Sequence, residues 1–495
     1  MNLVWFRNDL RIQDNPALSA AAADETSPVA ALYLICSQQI DCYGIGKNQQ
    51  AYLFQSLQLL HQELAKKNIP LFIIPSSTFK SVPNQIKTIC EQLEVEKLYF
   101  NIEYPIDERV RDRQVVEALE ETVKCFRFVG DSLVAPWLLV NGSGNGYKVF
   151  TPFSKAHANI LSDMPVELSN PIKPRSSDNR LAIAKIVRKN AASQLSAEDS
   201  DEADQSDFVF ITKQWLTDCC PSKLTSIEIP SSSHQQLKNQ LENFCEDKIV
   251  EYSELRDFPN IDATSRISSA LALGCISANE CYQIARQGHN ENASAWTRQL
   301  VWRDFYRSVM WHFPHVCKGQ AFLDVDTAIN WSHDLVALNN FKQGQTGVPI
   351  IDAAIQQLLK SGWMHNRLRM VVASYFCKNL WLDWRIGEAF FAEHLFDYDF
   401  ANNNGGWQWS ASVGTDASPY FRVFNPQAQQ KKFDKDGEFI RQWLPSLRQV
   451  ESNKIHSFET SQLDNYPKPQ VDLKSSRKQA IDSFKNAKLS NENFG

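Results

Sequence analysis

VAALYLICSQQIDCYGIGKNQQAYLFQSLQLLHQELAKKNIPLFII, residues 29–74, carries the pattern on which the fold turns. VAALYLI (29–35) and PLFII (70–74) are short apolar runs rich in β-branched and aromatic side chains, as strands require. Between them NQQAYLFQSLQLLHQELAKKN (48–68) repeats apolar residues at helical spacing. Working outward, LVWF (3–6), KLYFN (97–101) and CFRFV (125–129) are strand-like in the same way. Strand and helix in strict alternation predict a doubly wound parallel sheet, an α/β domain over residues 1–130 with ligands near the carboxyl ends of its strands.

Beyond residue 130 the character changes. NGSGNGYK (141–148) reads as a tight turn, and an acidic, Ser-rich segment near 190–207 has too few apolar residues to pack, so 131–215 is expected to be a connection with a disordered insertion. From about 235 onward, glycine and proline separate long helical periods with almost no strand pattern. The second domain is therefore expected to be all-α over 216–475, with a short tail at 476–495.

Composition limits what these domains do. The chain has 495 residues, too many for one ordinary core, with 43% hydrophobic and 22% charged residues. MNLVWFRNDLR reaches Arg7 too early for a signal peptide, and no apolar run approaches the roughly 20 residues of a membrane span, so a cytoplasmic protein with no membrane partner is expected. The 11 cysteines include no CxxC pair and read as idle thiols. A net charge of -6 argues against a general polyanion binder, but six acidic residues sit in EDSDEADQSD (198–207) alone, so nucleic acid is not excluded.

Common nucleotide and metal motifs fail. GIGKN (44–48) lacks the first glycine of a phosphate loop and ends in Asn48 instead of Ser or Thr. HFPH (312–315) has no second ligand pair and is broken by Pro314, so no metal is expected. There is no GxSxG elbow.

Four segments of the helical half carry polar residues in unusual company. TSRIS (264–268), after Tyr252 and Arg256, offers hydroxyls and an arginine where a helix begins, which is either a phosphate cradle or a plain N-cap by Thr264 or Ser265. In WTRQLVWRDFYRSVMWHF (296–313), Gln299, Trp302 and Tyr306 share one helix face. Such a face is core in most proteins, yet it also suits a flipped base that must be stacked and read at its edge. GWMHNRLRM (362–370) places Trp363, Asn366 and Met370 together, flanked by Arg367 and Arg369. NNNGGWQW (402–409), just after Asp397 and Asp399, looks like the wall of a pocket, with Gly405 and Gly406 admitting a planar ligand.

These motifs, with DWR, GTDASPYFRVFNP, EFIRQWLP and the N-terminal WFRNDLR, resemble the photolyase/cryptochrome family, and within it the class I cyclobutane pyrimidine dimer photolyases. The resemblance covers nearly the whole chain apart from the acidic insertion. It implies FAD in the helical domain, held by Tyr252, Thr264, Ser265, Arg266, Ile267, Ser268, Asp397, Tyr398 and Asp399, with Asn403 facing the flavin N5. Trp407, Trp384 and Trp331 match the family's relay of electrons from the surface, while Trp381 and Trp311 read as packing. Gln299, Trp302, Asn366, Met370 and Trp409 would line the pocket for a flipped dimer, and Arg256, Arg367 and Arg422 would meet phosphates of UV-damaged DNA.

The resemblance also implies an antenna chromophore, methenyltetrahydrofolate, at Glu108, Cys317 and Lys318. Tyr43 replaces the expected histidine and Asp107 an asparagine. The implied activity is light-driven dimer repair by a monomer without metal. A sensory cryptochrome and a six-four photolyase are the rival readings, the second because Gln299 stands where dimer photolyases usually carry glutamate.

Overall fold

The computed structural model describes residues 1–194, 212, 215, 220–287, 291–458 and 466–492. The acidic run 198–207 lies outside them, although the start of the segment expected to be disordered, 190–194, ends the helix Ser177–Gln194. Two compact units interleave along the chain. One comprises Met1–Leu139, Ala156–Asn243 and Arg266–His289, the other Val140–Lys155, Phe244–Ser265 and Asn290–Gly495. Much of the expected connection 131–215 thus belongs to the first unit, and the expected tail is mostly helix, within Leu473–Glu492.

The first unit is built on five parallel strands, β1 (Asn2–Phe6), β2 (Val29–Cys36), β3 (Leu71–Ser76), β4 (Lys97–Asn101) and β5 (Lys124–Phe128), in the order β3-β2-β1-β4-β5. All five are the runs read from the sequence. The helices α1 (Pro16–Ala23), α2 (Lys47–Lys66), α3 (Val82–Gln92) and α4 (Ile106–Leu119) make the crossovers. Every residue of β1 is buried, as a central strand covered on both faces must be. β5, at the edge, is largely exposed and carries Lys124 and Arg127, charges that discourage pairing with another sheet. The chain order reverses between β1 and β4, and such a reversal is where open α/β sheets take ligands.

The second unit is helical: α5 (Glu291–His312), α6 (Pro349–Ser361), α7 (Asn366–Lys378), α8 (Trp384–His394), α9 (Phe400–Ala411) and α10 (Leu473–Glu492) are its main elements. α5, α7 and α8 all pack on α9. Two glycines let the helices approach. A Cβ on Gly405 would lie 2.1 Å from the Tyr306 ring of α5, and one on Gly387 of α8 would lie 2.2 Å from the Trp407 ring. Carbon atoms in contact sit at about 3.5–4.0 Å, so neither position has room for a side chain.

Candidate functional site

NNNGGWQW lies inside α9, so the pocket wall is a helix. Three asparagines and two glycines make a poor helix by propensity, and this one is held by its start and its neighbours. Asp399 is the N-cap, its Oδ1 accepting from Asn402 N at 2.9 Å. Its Oδ2 accepts from Arg307 Nη2 at 2.7 Å. Burial alone would raise the Asp399 pKa, but Arg307 and Arg303 outweigh it and hold the carboxyl below the usual range. Asp397 is bound through both oxygens by Arg369 Nη2, at 2.9 and 2.7 Å. Arg369, read from sequence as a flank of the α7 face, instead turns to this carboxylate and to Met364 O.

A cavity opens beside α9. It is lined by Asp397, Tyr398, Asp399, Asn402, Asn403, Gly406 and Trp407, and from α7 by Asn366, Arg369 and Met370. The two glycines of the motif have separate tasks: Gly405 packs against Tyr306, while a Cβ on Gly406 would meet nothing within 4 Å. The expectation that both admit a ligand is corrected to Gly406 alone. Asn403 Nδ2 donates to Glu388 O at 3.0 Å, and Asn404 Nδ2 donates to Glu388 Oε1 at 3.0 Å. Burial pushes the Glu388 carboxyl up to about 7. Trp407 Nε1, buried, has no hydrogen-bond partner among the described residues. An open glycine face, carboxylates with lone pairs to spare and an unpartnered indole donor fit a planar, multiply hydrogen-bonding ring such as flavin.

The three tryptophans that the resemblance assigns to a relay belong to this unit, and all are buried: Trp384 0%, Trp407 2% and Trp331 8% exposed. Trp331 is covered by Trp381 at 5.1 Å and by Phe484 of α10 at 6.4 Å between ring centroids. Trp381, set aside as packing, is the more exposed ring of the pair and sits at a positive φ of 58°. Asp326 Oδ1 accepts from both Trp331 Nε1 and Trp384 Nε1, each at 3.3 Å.

On α5, Trp302 stacks on Phe150, centroids 3.5 Å apart and planes 3° apart, so one face of the ring is already covered. Gln299 is half-buried, its Nε2 donating to Ala295 O at 3.3 Å. Asn366, exposed, is the first residue of α7, after His365 caps it; Trp363 precedes the helix and does not share its face. Arg367 Nη2 is paired with Asp257 at 2.6 Å, the Arg256 guanidinium lies 5.6 Å from the Tyr252 ring, and Arg422 is exposed. Trp409 is half-buried, 6.5 Å from Phe424.

TSRIS does not open a helix at Thr264 or Ser265. The short helix Ser268–Ala272 begins after Ile267, which is its N-cap and caps with no side chain, while Ser265 Oγ accepts from Trp296 Nε1 at 3.3 Å. Arg266 is exposed at a φ of 52°, Ser268 is exposed and Ile267 and Tyr252 are buried. Thr264 and Ser265 belong to the second unit, and Arg266, Ile267 and Ser268 to the first.

In the first unit, the ends of β1 and β4 hold a dense ion network: Arg7 donates to Asn101 O, and Arg111 Nη2 pairs with Glu103 and Asp112 at 2.7 Å each. Glu108 is buried, its oxygens accepting from Gln39 Nε2 at 3.0 Å and Tyr43 OH at 2.8 Å. Burial pushes its pKa up to about 7. Tyr43 thus occupies the expected histidine position with a hydroxyl aimed at Glu108. Cys317 Sγ, 3.1 Å from Met310 Sδ, and exposed Lys318 lie in the second unit.

Among the described residues no three His, Cys, Asp or Glu gather as a metal site, and no helix is long and apolar enough to cross a membrane. Sequence reading missed Asp326, Glu388 and Arg307. Glu388 could have been found, since it follows Trp384 by one helical turn. Nothing in DVDTA (324–328) marks Asp326.

Residues 2–173 match a DNA photolyase family model, and residues 296–486 match the FAD binding domain of DNA photolyase. The deoxyribodipyrimidine photo-lyase of Salmonella typhimurium is 37% identical over 98% of this chain and 99% of its own. A bacterial class III photolyase from Agrobacterium tumefaciens superposes with a TM-score of 0.81 at 30% identity, covering 99% of this chain and 98% of that one. An archaeal photolyase from Sulfolobus tokodaii with two FAD molecules does so at 0.75 and 27% identity, covering 98% and 100%. Similarity of this extent, over a cavity whose residues fit a flavin, means that the chain belongs to the DNA photolyase family.

Proposed function

We propose that this protein repairs cyclobutane pyrimidine dimers in DNA by light-driven electron transfer. The observation that carries the reading is one cavity bordered on one side by Asp397, Asn403, Gly406 and Trp407 and on the other by Asn366 and Met370. Flavin-holding and dimer-lining residues thus share a wall. Reduced FAD, when bound and excited, supplies the single electron that opens the dimer and accepts it back.

The chain's residues bind, orient and exclude water. Asp397 and Asp399, fixed by Arg369 and Arg307, accept hydrogen bonds from the cofactor, with Tyr252, Thr264, Ser265 and Tyr398 of the same unit completing its cradle. Asn403, steadied by Glu388 O, would lie by the N5 of a bound flavin. Trp302, Trp409, Asn366 and Met370 enclose the flipped dimer. Gln299 donates an amide N–H to a pyrimidine carbonyl, turning away from its long contact with Ala295 O to do so.

Arg256, Arg367 and Arg422 meet phosphates. Arg367 must exchange Asp257 for a phosphate, and neutralising phosphates makes affinity fall with salt. Trp331, Trp384 and Trp407 restore the reduced cofactor by passing electrons inward. Glu108, which accepts from Tyr43 and Gln39, is assigned to a second, light-gathering chromophore, methenyltetrahydrofolate.

The test is repair by illuminated, fully reduced protein given cyclobutane dimers and six-four lesions separately. Repair of cyclobutane dimers in light and not in darkness is expected. Repair of six-four lesions alone would move the protein to that class, and repair of neither would make it a sensor.

A further inference from the structure

We propose that Asp326 and Arg385 give the tryptophan relay its direction, a proposal that rests on the relay read above. Asp326 is buried, and its Oδ1 accepts from the indole N–H groups of both Trp384 and Trp331 at 3.3 Å. Its Oδ2 accepts from Arg385 Nη2 at 2.6 Å, which fixes the carboxylate between the two rings. The guanidinium of Arg385 lies over the Trp384 ring, 4.5 Å from its centroid. Among the described residues Trp407 Nε1 has no hydrogen-bond partner.

These contacts rank the three rings as sites for positive charge. When an electron leaves Trp407 for the excited, oxidised flavin, the hole sits on an indole without an anionic acceptor. An electron from Trp384 fills it, and the hole moves to a ring whose N–H points at a carboxylate. A charge-assisted hydrogen bond is roughly twice as strong as a neutral one, so the carboxylate favours a hole on Trp384 over one on Trp407. The carboxylate is equally far from Trp331 and cannot by itself favour either ring. Arg385 does: its guanidinium over the face of Trp384 opposes a hole there, with the repulsion partly screened because Arg385 is about a third exposed.

An electron from Trp331 then fills Trp384, and the hole rests on Trp331 beside the same carboxylate. One electron has gone from Trp331 to the flavin. The Trp331 N–H proton either stays or passes to Asp326 Oδ1, breaking the N–H bond and forming an O–H bond. Arg385 is in turn held by Asp383 Oδ1 at 3.1 Å and by Gly319 O at 2.7 Å, so neither charge of the pair is free to turn away.

Asp326 is thus a positioning residue acting through the indoles, and its variants are read in two ways. In the full chain without FAD, labelled with 15N in the indole rings, Asp326→Asn should move the N–H resonances of both Trp331 and Trp384 upfield, assigned by their loss in Trp331→Phe and Trp384→Phe. In the FAD-loaded chain, the yield of flavin that stays reduced after a light flash should fall roughly tenfold, the factor set by losing one charge-assisted hydrogen bond. Asp326→Glu keeps the charge and should recover most of both signals, which separates loss of charge from misfolding. Unmoved resonances in Asp326→Asn, or a wild-type yield there while Trp407→Phe is inactive in photoreduction, would overturn the proposal alone. A wild-type yield in Trp407→Phe would overturn the relay reading and this proposal together.

Discussion

Adding one methyl group to each glycine of α9 in turn should have opposite effects. Gly406→Ala removes the entropic cost of a glycine in a helix interior, about 0.5–1 kcal/mol, and its Cβ meets nothing within 4 Å, so the protein without FAD should become more stable by that amount. Gly405→Ala gains the same helix propensity, but its Cβ falls 2.1 Å from two atoms of the Tyr306 ring. Reaching an ordinary carbon contact requires α5 and α9 to part by over an ångström, or the ring to leave its place against Trp302 and Phe305. Overpacking of this kind costs about 1–3 kcal/mol, which exceeds the propensity gain. The two variants should therefore differ by ~2 kcal/mol, or several degrees in melting temperature at about 2–4 °C per kcal/mol. Thermal unfolding of the full chain by circular dichroism reads this difference. FAD titration then completes the test, since the Gly406→Ala methyl enters the cavity and should weaken binding roughly tenfold, about 1.4 kcal/mol. Equal melting temperatures, or wild-type FAD affinity in Gly406→Ala, would refute the division of labour between the two glycines.

Three further outcomes are expected. Lys378 is buried with its Nζ on Ser412 Oγ, and burial pushes its pKa down to about 8 from 10.5. The unfolded chain therefore holds the extra proton between those values, so wild-type stability should rise as pH climbs from about 8 to 10.5. Lys378→Met should flatten that slope and add on the order of 3 kcal/mol at pH 7, measured by urea unfolding across pH. Asn403→Asp places a carboxylate beside the reduced ring and should lower the flavin potential, so titration with a graded series of reductants should leave more of it oxidised than in wild type. Gln299→Glu, protonated or not, keeps a hydrogen-bonding group against the dimer, and repair yield under illumination should be preserved or modestly raised; a loss above tenfold would remove Gln299 from the substrate wall.

The sheet was legible because each of its strands is a short, dense apolar run bounded by turn residues, and the crossover helices because their apolar spacing is regular. α9 was legible as a site but not as a helix. Its asparagines and glycines argue against one locally, and what makes it helical is the Asp399 cap and three packed neighbours distant in sequence. The same reason hid the tasks of Gly405 and Gly387, which are set by rings on other helices. Thr264 and Ser265 look like caps in sequence, yet the turn at Arg266 delays the helix until Ser268. Asp326 could not be read at all, since its meaning depends on two indoles brought to one oxygen from separate segments.

The last helix has a bearing on how this protein is handled. α10 packs against the turn Asp324–Ala328, Ser476 on it accepts from Asn379 Nδ2 at 2.9 Å, and Phe484 lies edge-on to both Trp331 and Trp381. A stretch of chain almost 500 residues from the amino terminus therefore insulates the outer rings and braces the segment that bears Asp326. Given the proposed relay and lesion pocket, tags, truncations or crosslinks placed there would disturb recharging of the cofactor while sparing that pocket. A purified protein shortened at that end could mend DNA when supplied with chemical reductant and still fail to recover in light, a defect easily mistaken for a damaged active site.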